Sequence, residues 1–369
     1  MDFGLNEQQE MMQSLARDFL ADEYTDKVLK AAVADSEYNL QLWHKVGALN
    51  LTGLGIPEEY CGVGDFLDLA VVLEEMGRAC FISPFFSSVV LGASTILEAG
   101  NENQKQRYLP DIAEGKSIFT LAVTEGSGRY SPEDIQTEAI PRGDKYIVNG
   151  SKVFVPDAQS ADFMICAVRT GDDNNITLCI LDINSDGITV NPLTLVSGDK
   201  MAEVSLNNVA VDSENILGEK SKGWSYLEKV LDKAAVAKCA EIVGLSRQAL
   251  DITLDYAKER IAFGHPIGAF QSIQHRCADM LIDTDAARFL TYQTAWRINE
   301  GLPAAREVAI AKAWVGEAGR RVMKSAHQVH GAIGFTEDHI LHYYTKKARA
   351  AESAFGDTDY HYGRLLSLD

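Results

Sequence analysis

Apolar positions change their period twice along this chain. Up to about residue 116 they recur at helical spacing: Met12, Leu15 and Phe19, then Leu69, Val72, Leu73 and Met76 as an i, i+3, i+4, i+7 stripe. Asn6 with Gln9 reads as a capping box that starts the first helix. A further apolar helix runs through Val89, Leu91, Ile96 and Leu97 and stops at Gly100. The pattern then turns to short β-rich runs at 118–123, 146–155, 163–168, 177–181 and 204–211. Asn149-Gly150, inside the second run, predicts a tight hairpin between two short strands. Short strands without intervening helices point to a small antiparallel barrel or sandwich. Beyond about residue 219 the helical period returns. Residues 224–258 predict one very long helix, or one with a slight break. Its middle, 234–243, is small and apolar nearly all round, as in a bundle. Further helices are predicted at 269–300, 303–329 and 337–353. The expectation is an α+β multidomain chain: an N-terminal helical domain over 1–116, a central antiparallel β-barrel or sandwich over 117–218, and a C-terminal four-helix bundle domain over 219–369.

Composition narrows the function classes. The 369 residues suit two or three domains, and 46% hydrophobic with 24% charged residues excludes a mostly disordered chain. The net charge of −19 argues against nucleic acid and against an anionic membrane as partners. An anionic ligand needs a local site that overrides that field. No stretch reaches the ~20 apolar residues of a membrane helix. Residues 1–7 lack the basic and apolar regions of a secretory signal. The six cysteines form no Cys-x-x-Cys, so free thiols in the cytoplasm and no metal site are expected.

Several residues carry candidate chemistry. Arg260 offers a planar fork for phosphate oxygens, or is a solvated helix-end cation beside Glu259. Gly331 and Gly334 let backbone approach a bulky ligand, or form an ordinary helix cap and turn. Gln271 and Gln328 can donate and accept, which suits adenine or ribose edges. Glu241 sits on the apolar long helix among Ala237, Cys239, Ala240, Ile242 and Val243, where a carboxylate needs a reason. It is either a base of perturbed pKa or the partner of Lys238 in an i−3 salt bridge.

Helical, then β, then helical blocks, with several local motifs in order, resemble the acyl-CoA dehydrogenase family over essentially the whole chain. The motifs are the opening Met1-Asp2-Phe3-Gly4-Leu5-Asn6-Glu7-Gln8-Gln9, Leu121-Ala122-Val123-Thr124-Glu125, Lys258-Glu259-Arg260-Ile261-Ala262-Phe263-Gly264 with Phe270-Gln271, and Gln328-Val329-His330-Gly331-Ala332-Ile333-Gly334-Phe335-Thr336. The resemblance implies FAD, held by Thr124, Phe154, Arg260, Phe263, Gln271, Gln328, Gly331 and Gly334, partly across a neighbouring subunit. For Thr124 and Phe154 the alternatives are a solvent-facing strand threonine and a β-domain core aromatic. The resemblance also implies an acyl-CoA substrate, with Asp232 matching a residue that touches the pantetheine arm. Electrons would pass to an electron-transfer flavoprotein, and the assembly would be a homotetramer, homodimer or heteromer.

The family's reaction takes the α-proton of an acyl thioester onto a carboxylate while the β-hydrogen leaves as hydride to flavin N5. Here the chain departs from the pattern. Phe355, before Gly356, falls where the usual glutamate stands, and Ala234 falls where a second family solution puts it. Glu241, about two turns beyond Ala234, is the substitute base, and Asp357 the second candidate. Pro-Gly-Ala-Gly-Ser is replaced by Gly126-Ser127-Gly128-Arg129-Tyr130-Ser131, and the family's central-helix arginine by Ala235. Arg129 is a candidate for the CoA phosphates, or a solvent-facing loop residue. The 355–361 stretch with 240–244 resembles a bacterial branch acting on dicarboxylyl-, steroid- and other bulky acyl-CoAs. The alternatives are a non-catalytic, flavin-site-completing subunit of a heteromer and a flavin oxidase or monooxygenase on the same fold.

Overall fold

The computed structural model describes residues 4–35, 38–171 and 175–368. Met1, Asp2 and Phe3 of the opening motif lie outside them. The chain forms two compact units, one of residues 1–31, 66–81 and 235–369, the other of 32–65 and 82–234. The segment 1–116 is thus shared between them.

The helices before the sheet are α1 (Glu7–Glu23), α2 (Asp26–Ala34), α3 (Leu40–Ala48), α4 (Phe66–Arg78), α5 (Ser94–Ala99) and α6 (Glu102–Ala113). The expected capping box opens α1: the Asn6 side chain accepts from the Gln9 N–H, and the Gln9 side chain accepts from the Asn6 N–H. The α4 stripe Leu69, Val72, Leu73 and Met76 is buried. The apolar helix through Val89 begins as a π-helical segment, Phe86–Ala93, and continues as α5. It ends at Gly100, where the backbone turns extended, and a Cβ there would stand 2.5 Å from the Ile96 carbonyl oxygen.

Eight strands follow: β1 (Phe119–Ala122), β2 (Glu138–Arg142), β3 (Lys145–Pro156), β4 (Phe163–Arg169), β5 (Ile176–Asp182), β6 (Ile188–Leu193), β7 (Met201–Asp212) and β8 (Ile216–Leu217). They form one sheet in the order β6-β7-β3-β2-β4-β5-β8, with β1 added on β4. The sheet is open at β6 and β8, and mostly antiparallel. Pairings β1–β4 and β2–β4 are parallel. Strands β4 and β5 are buried almost throughout, as continuous apolar runs require. Val148, Met164, Cys166, Cys179 and Val204 sit in its core.

The Asn149-Gly150 hairpin is not formed. Residues 145–156 are one strand, and the hairpin turn lies earlier, at Gly143-Asp144 between β2 and β3. Asn149-Gly150 is instead an irregularity in the β3–β7 register. A Cβ on Gly150 would lie 2.5 Å from Thr137 Oγ1, so the glycine serves a close chain approach.

After the sheet, α7 (Gly223–Glu259) is continuous and leads through the two-residue strands β9 (Ile261–Ala262) and β10 (His265–Pro266) to α8 (Gln271–Asn299), α9 (Ala305–His330), α10 (Leu341–Ser353) and α11 (Thr358–Leu368). Ile242 and Val243 of α7 pack with Ala287 of α8, Ala311 and Val315 of α9 and Ala351 of α10. Small residues bring α4 and α7 close: a Cβ on Gly244 would lie 1.8 Å from the Glu74 carbonyl oxygen, and one on Gly77 2.2 Å from that of Glu241. Among the described residues, no helix is long and apolar enough to cross a membrane.

Candidate active site

The first group of expected site residues lies where β1 meets β3. Thr124, just beyond β1, is half-buried, and its carbonyl accepts from the Val153 N–H at 2.9 Å. The next residue, Phe154, sits at a register shift between Lys152 and Val155 with φ of +54°. A bulge of this kind re-aims a side chain. Phe154 is 51% exposed, so it is not a core aromatic. The corner beneath is rigid. Lys152 is fully buried, and its Nζ donates to Glu125 Oε1 at 2.6 Å and to the Val123 carbonyl at 3.3 Å. Glu125 also accepts from the Gln136 N–H at 2.8 Å, the Thr137 N–H at 3.0 Å and the Thr137 hydroxyl at 2.8 Å. Burial would raise the Glu125 carboxyl, but Lys152 and these donors hold it below its ordinary value. Arg129 is exposed on the loop that follows, and Asp232 is half-buried on α7.

The helical unit gathers two more groups. Arg260, Phe263 and Gln271 share the connection from α7 to α8. Arg260 is exposed just past α7, and its carbonyl accepts from the Ile267 N–H at 2.8 Å. Phe263 has φ of +54°, is 94% exposed, and meets Phe270 edge-on at 6.3 Å. Gln271, exposed, opens α8. At the end of α9, Gln328 and Gly331 line a cavity of about 470 Å³ with Arg320, His327, Phe335 and Arg349. His327 stacks on Phe335 at 4.3 Å, and its Nε2 is 2.7 Å from Thr345 Oγ1. Its buried Nδ1 has no partner. Gly331 has φ of +65° with open space around it; Gly334 is buried, and a Cβ there would lie 3.1 Å from that Nδ1. The rings of Tyr256 and His330 stack at 4.5 Å and so join the end of α7 to the end of α9.

The candidate bases are both engaged. Glu241 is buried; Lys238 reaches Oε2 at 2.6 Å and Lys347 reaches Oε1 at 3.2 Å. The i−3 salt bridge is therefore present, and α10 adds a second cation. Asp357 is exposed and acts as the N-cap of α11, its Oδ1 accepting from the Tyr360 N–H at 2.9 Å.

In the helical unit, two buried cations escaped the sequence reading. Lys312, 1% exposed, donates to the carbonyls of Glu352 at 2.6 Å and Gly356 at 2.8 Å. Burial pulls its amine down to about 8. Lys347, also buried, is the second partner of Glu241. The signal was present for Lys312: a lone cation inside the apolar run Val308, Ala309, Ala311, Ala313, Val315. Among the described residues, no group of three or more His, Cys, Asp or Glu is placed to hold a metal.

Comparison with known proteins covers nearly the whole chain. Family models for the acyl-CoA dehydrogenase N-terminal, middle and C-terminal domains match residues 6–116, 120–209 and 221–366. The chain is 33% identical to probable acyl-CoA dehydrogenase YngJ of Bacillus subtilis, over 97% of each. Its fold is similar to butyryl-CoA dehydrogenase from Megasphaera elsdenii, with a TM-score of 0.95, 28% identity, and 100% and 99% of the two chains covered. It is also similar to a chain of the ChsE4-ChsE5 complex from Mycobacterium tuberculosis, with a TM-score of 0.89, 26% identity, and 100% and 98% covered.

Proposed function

The chain belongs to the acyl-CoA dehydrogenase family of oxidoreductases, and we propose that it performs FAD-dependent α,β-dehydrogenation of an acyl-CoA, with electrons passed to an electron-transfer flavoprotein. The observation that carries this reading is Phe154, an exposed aromatic in a left-handed bulge, next to Val153, whose N–H is bonded to the Thr124 carbonyl. Exposing a large apolar ring on a strained backbone has a cost that a flat ligand offsets.

The residues present fit a flavin dinucleotide. Arg260 offers an exposed guanidinium to a pyrophosphate. The cavity at Gln328 and Gly331 carries an unpartnered ring nitrogen on His327, cations on Arg320 and Arg349, and the Phe335 ring. When bound, the isoalloxazine supplies the hydride acceptor. Thr124 and Phe154 would orient it, Phe263 and Gln271 would flank it from a neighbouring copy, and Gly334 keeps the Gln328 turn tight. Asp232 and Arg129 remain the proposed contacts to the CoA arm. In this reading Glu241, or else Asp357, takes the α-proton. The domain division stays at 1–116, 117–218 and 219–369, and the location cytoplasmic.

A second reading draws on the two bases. A carboxylate held between Lys238 and Lys347 is stabilised as the anion and gives up its lone pairs to them, which suits a structural ion pair better than proton abstraction. Asp357 spends its side chain on a helix cap. This favours a heteromer in which a homologous subunit supplies the base and this chain completes the flavin site through Arg260 and Gln328. Purifying the chain alone and with a homologous partner, then comparing flavin content and substrate bleaching, separates the two. Bleaching by the chain alone supports the first, and bleaching only by the pair supports the second. Oxygen consumption without acyl-CoA would instead indicate an oxidase or monooxygenase.

A further inference from the structure

The turn between α10 and α11 is strained and yet over-determined. Phe355 has φ of +57°, left-handed for a residue with a bulky side chain, and Gly356 follows at +91°. Isolated residues adopt this conformation at a cost, and they persist where surrounding contacts leave no alternative. Here the contacts are specific. The Glu352 carbonyl, one of the orphans at the end of α10, receives Lys312. The Gly356 carbonyl receives the same ammonium. His361 Nε2 lies 3.0 Å from the Phe355 carbonyl, and the Asp357 carbonyl accepts from the His361 N–H at 3.1 Å. Thr358 Oγ1 donates to the Ala313 carbonyl at 3.3 Å. Nor can the turn shift under Gly356: a Cβ there would stand 2.2 Å from the Tyr360 ring.

Two buried titratable side chains do most of this holding. Lys312 and His361 are each 1% exposed. A buried ammonium with no carboxylate directly on it is expensive unless its donors are used. Lys312 places its donors on two main-chain carbonyls, one on each side of the strained residue. The arrangement is more than the closure of a helix–helix connection needs, since a single glycine cap with open solvent around it would suffice.

We propose that Lys312 is a positioning residue: with His361 it clasps the 354–358 turn in one conformation, and so fixes Phe355 and Gly356 for contact with the acyl thioester. The functional half rests on the acyl-CoA reading above, in which Phe355 occupies the place of the family's usual base. Burial outweighs the nearby Glu352 and Asp357 carboxylates and lowers the Lys312 amine to about 8. Loss of the proton removes charge assistance from both bonds while leaving two N–H donors, so the clasp loosens rather than opens.

The test uses the full chain in its flavin-loaded form, with butyryl-CoA and one bulky steroid-side-chain acyl-CoA as probes. Backbone amide exchange at Tyr360 and His361, which bond to Asp357, reports the turn. In Lys312→Met their protection should fall about tenfold, while amides in mid-α9 keep theirs. The Kd for whichever acyl-CoA binds should rise about tenfold, with the maximal bleaching rate changed less than about threefold, a split that mere loss of stability does not produce. If Lys312→Met does not fold, wild-type exchange at about pH 7 and about pH 9.5, on either side of the amine's titration, replaces it, and a severalfold loss of protection confined to the turn is expected. Unchanged protection at Tyr360 and His361 overturns the clasp. A loosened turn with unchanged acyl-CoA affinity overturns the positioning role. A wild-type chain that binds neither acyl-CoA, alone or with a homologous partner, overturns the parent reading and the positioning role with it. The wild-type titration therefore distinguishes that failure from failure of the clasp alone.

Discussion

Lys347 Nζ stands 3.2 Å from Glu241 Oε1, a cation of α10 on a carboxylate of α7, both buried in the helical unit. With Lys238 on the other oxygen, the carboxylate ties two helices together. Removing one member of such a group leaves an uncompensated buried charge. Glu241→Gln, which removes the charge between the two lysines, should therefore lower stability by about 3 kcal/mol, and Lys347→Met, which leaves Glu241 its Lys238 partner, by less. Denaturant melts of the two variants and of the double variant check this, with the double variant expected to be less damaged than the sum. If Glu241→Gln melts like wild type yet no longer bleaches, the carboxylate is the base after all and the structural assignment is wrong.

Phe154 gives a different signature. It is half-exposed and left-handed, so Phe154→Gly removes little packing and relieves backbone strain. Stability should change by less than about 1 kcal/mol, while flavin affinity falls about tenfold. Flavin fluorescence titration beside a thermal melt measures both. A variant that retains flavin at wild-type affinity contradicts the assignment of this corner.

Lys152 anchors the same corner from inside. Lys152→Met strands Glu125 among backbone donors without its cation. A loss of about 3 kcal/mol is expected. The acid side follows from the Glu125 carboxyl, which is lowered in the folded chain. Its contribution is fully present above the ordinary carboxylate range and is lost as pH falls through its lower folded value. Wild type should thus lose this increment only in acid, and the variant should show a flatter acid limb in pH-dependent melts.

His361 acts on stability in the same pH direction by another route. Burial brings its imidazole down to about 4, against an ordinary 6.5. Between these values the unfolded chain binds more protons, so stability rises with pH across the window. Acidifying from 6.5 to 4 should cost up to about 3 kcal/mol from this group alone. His361→Gln keeps a donor for the Phe355 carbonyl and should flatten that slope. A slope unchanged by the substitution would show that the imidazole titrates normally.

What the sequence made legible was periodicity and local capping. The α4 stripe, the Asn6–Gln9 box and the unbroken α7 depend on neighbours within a few residues, and they formed as read. Asn149-Gly150 misled because the signal for a two-residue hairpin and the signal for a strand glycine under close approach are the same two letters; Thr137, remote in sequence, decided between them. Helix α11 was missed because its buried positions, Thr358 and His361, are polar and leave no apolar stripe to read. At the site, Arg260, Phe263 and Gln271 are neighbours in the chain and came as one motif. The partners of Glu241 and of Gly356 lie far along the chain, at Lys347 and Lys312, and pairwise spacing does not reveal them.

Reductive bleaching of a bound flavin by an acyl-CoA is the defining event of the proposed reaction. The most direct measurement is an anaerobic titration of the flavin-loaded protein, alone and with a homologous subunit, using acyl-CoAs from short linear to steroid side-chain, followed in the visible flavin band. Bleaching by at least one thioester, with formation of the α,β-unsaturated product, is the expected result. A protein that holds flavin but is bleached by no acyl-CoA in either form, or one that never takes up flavin at all, contradicts it.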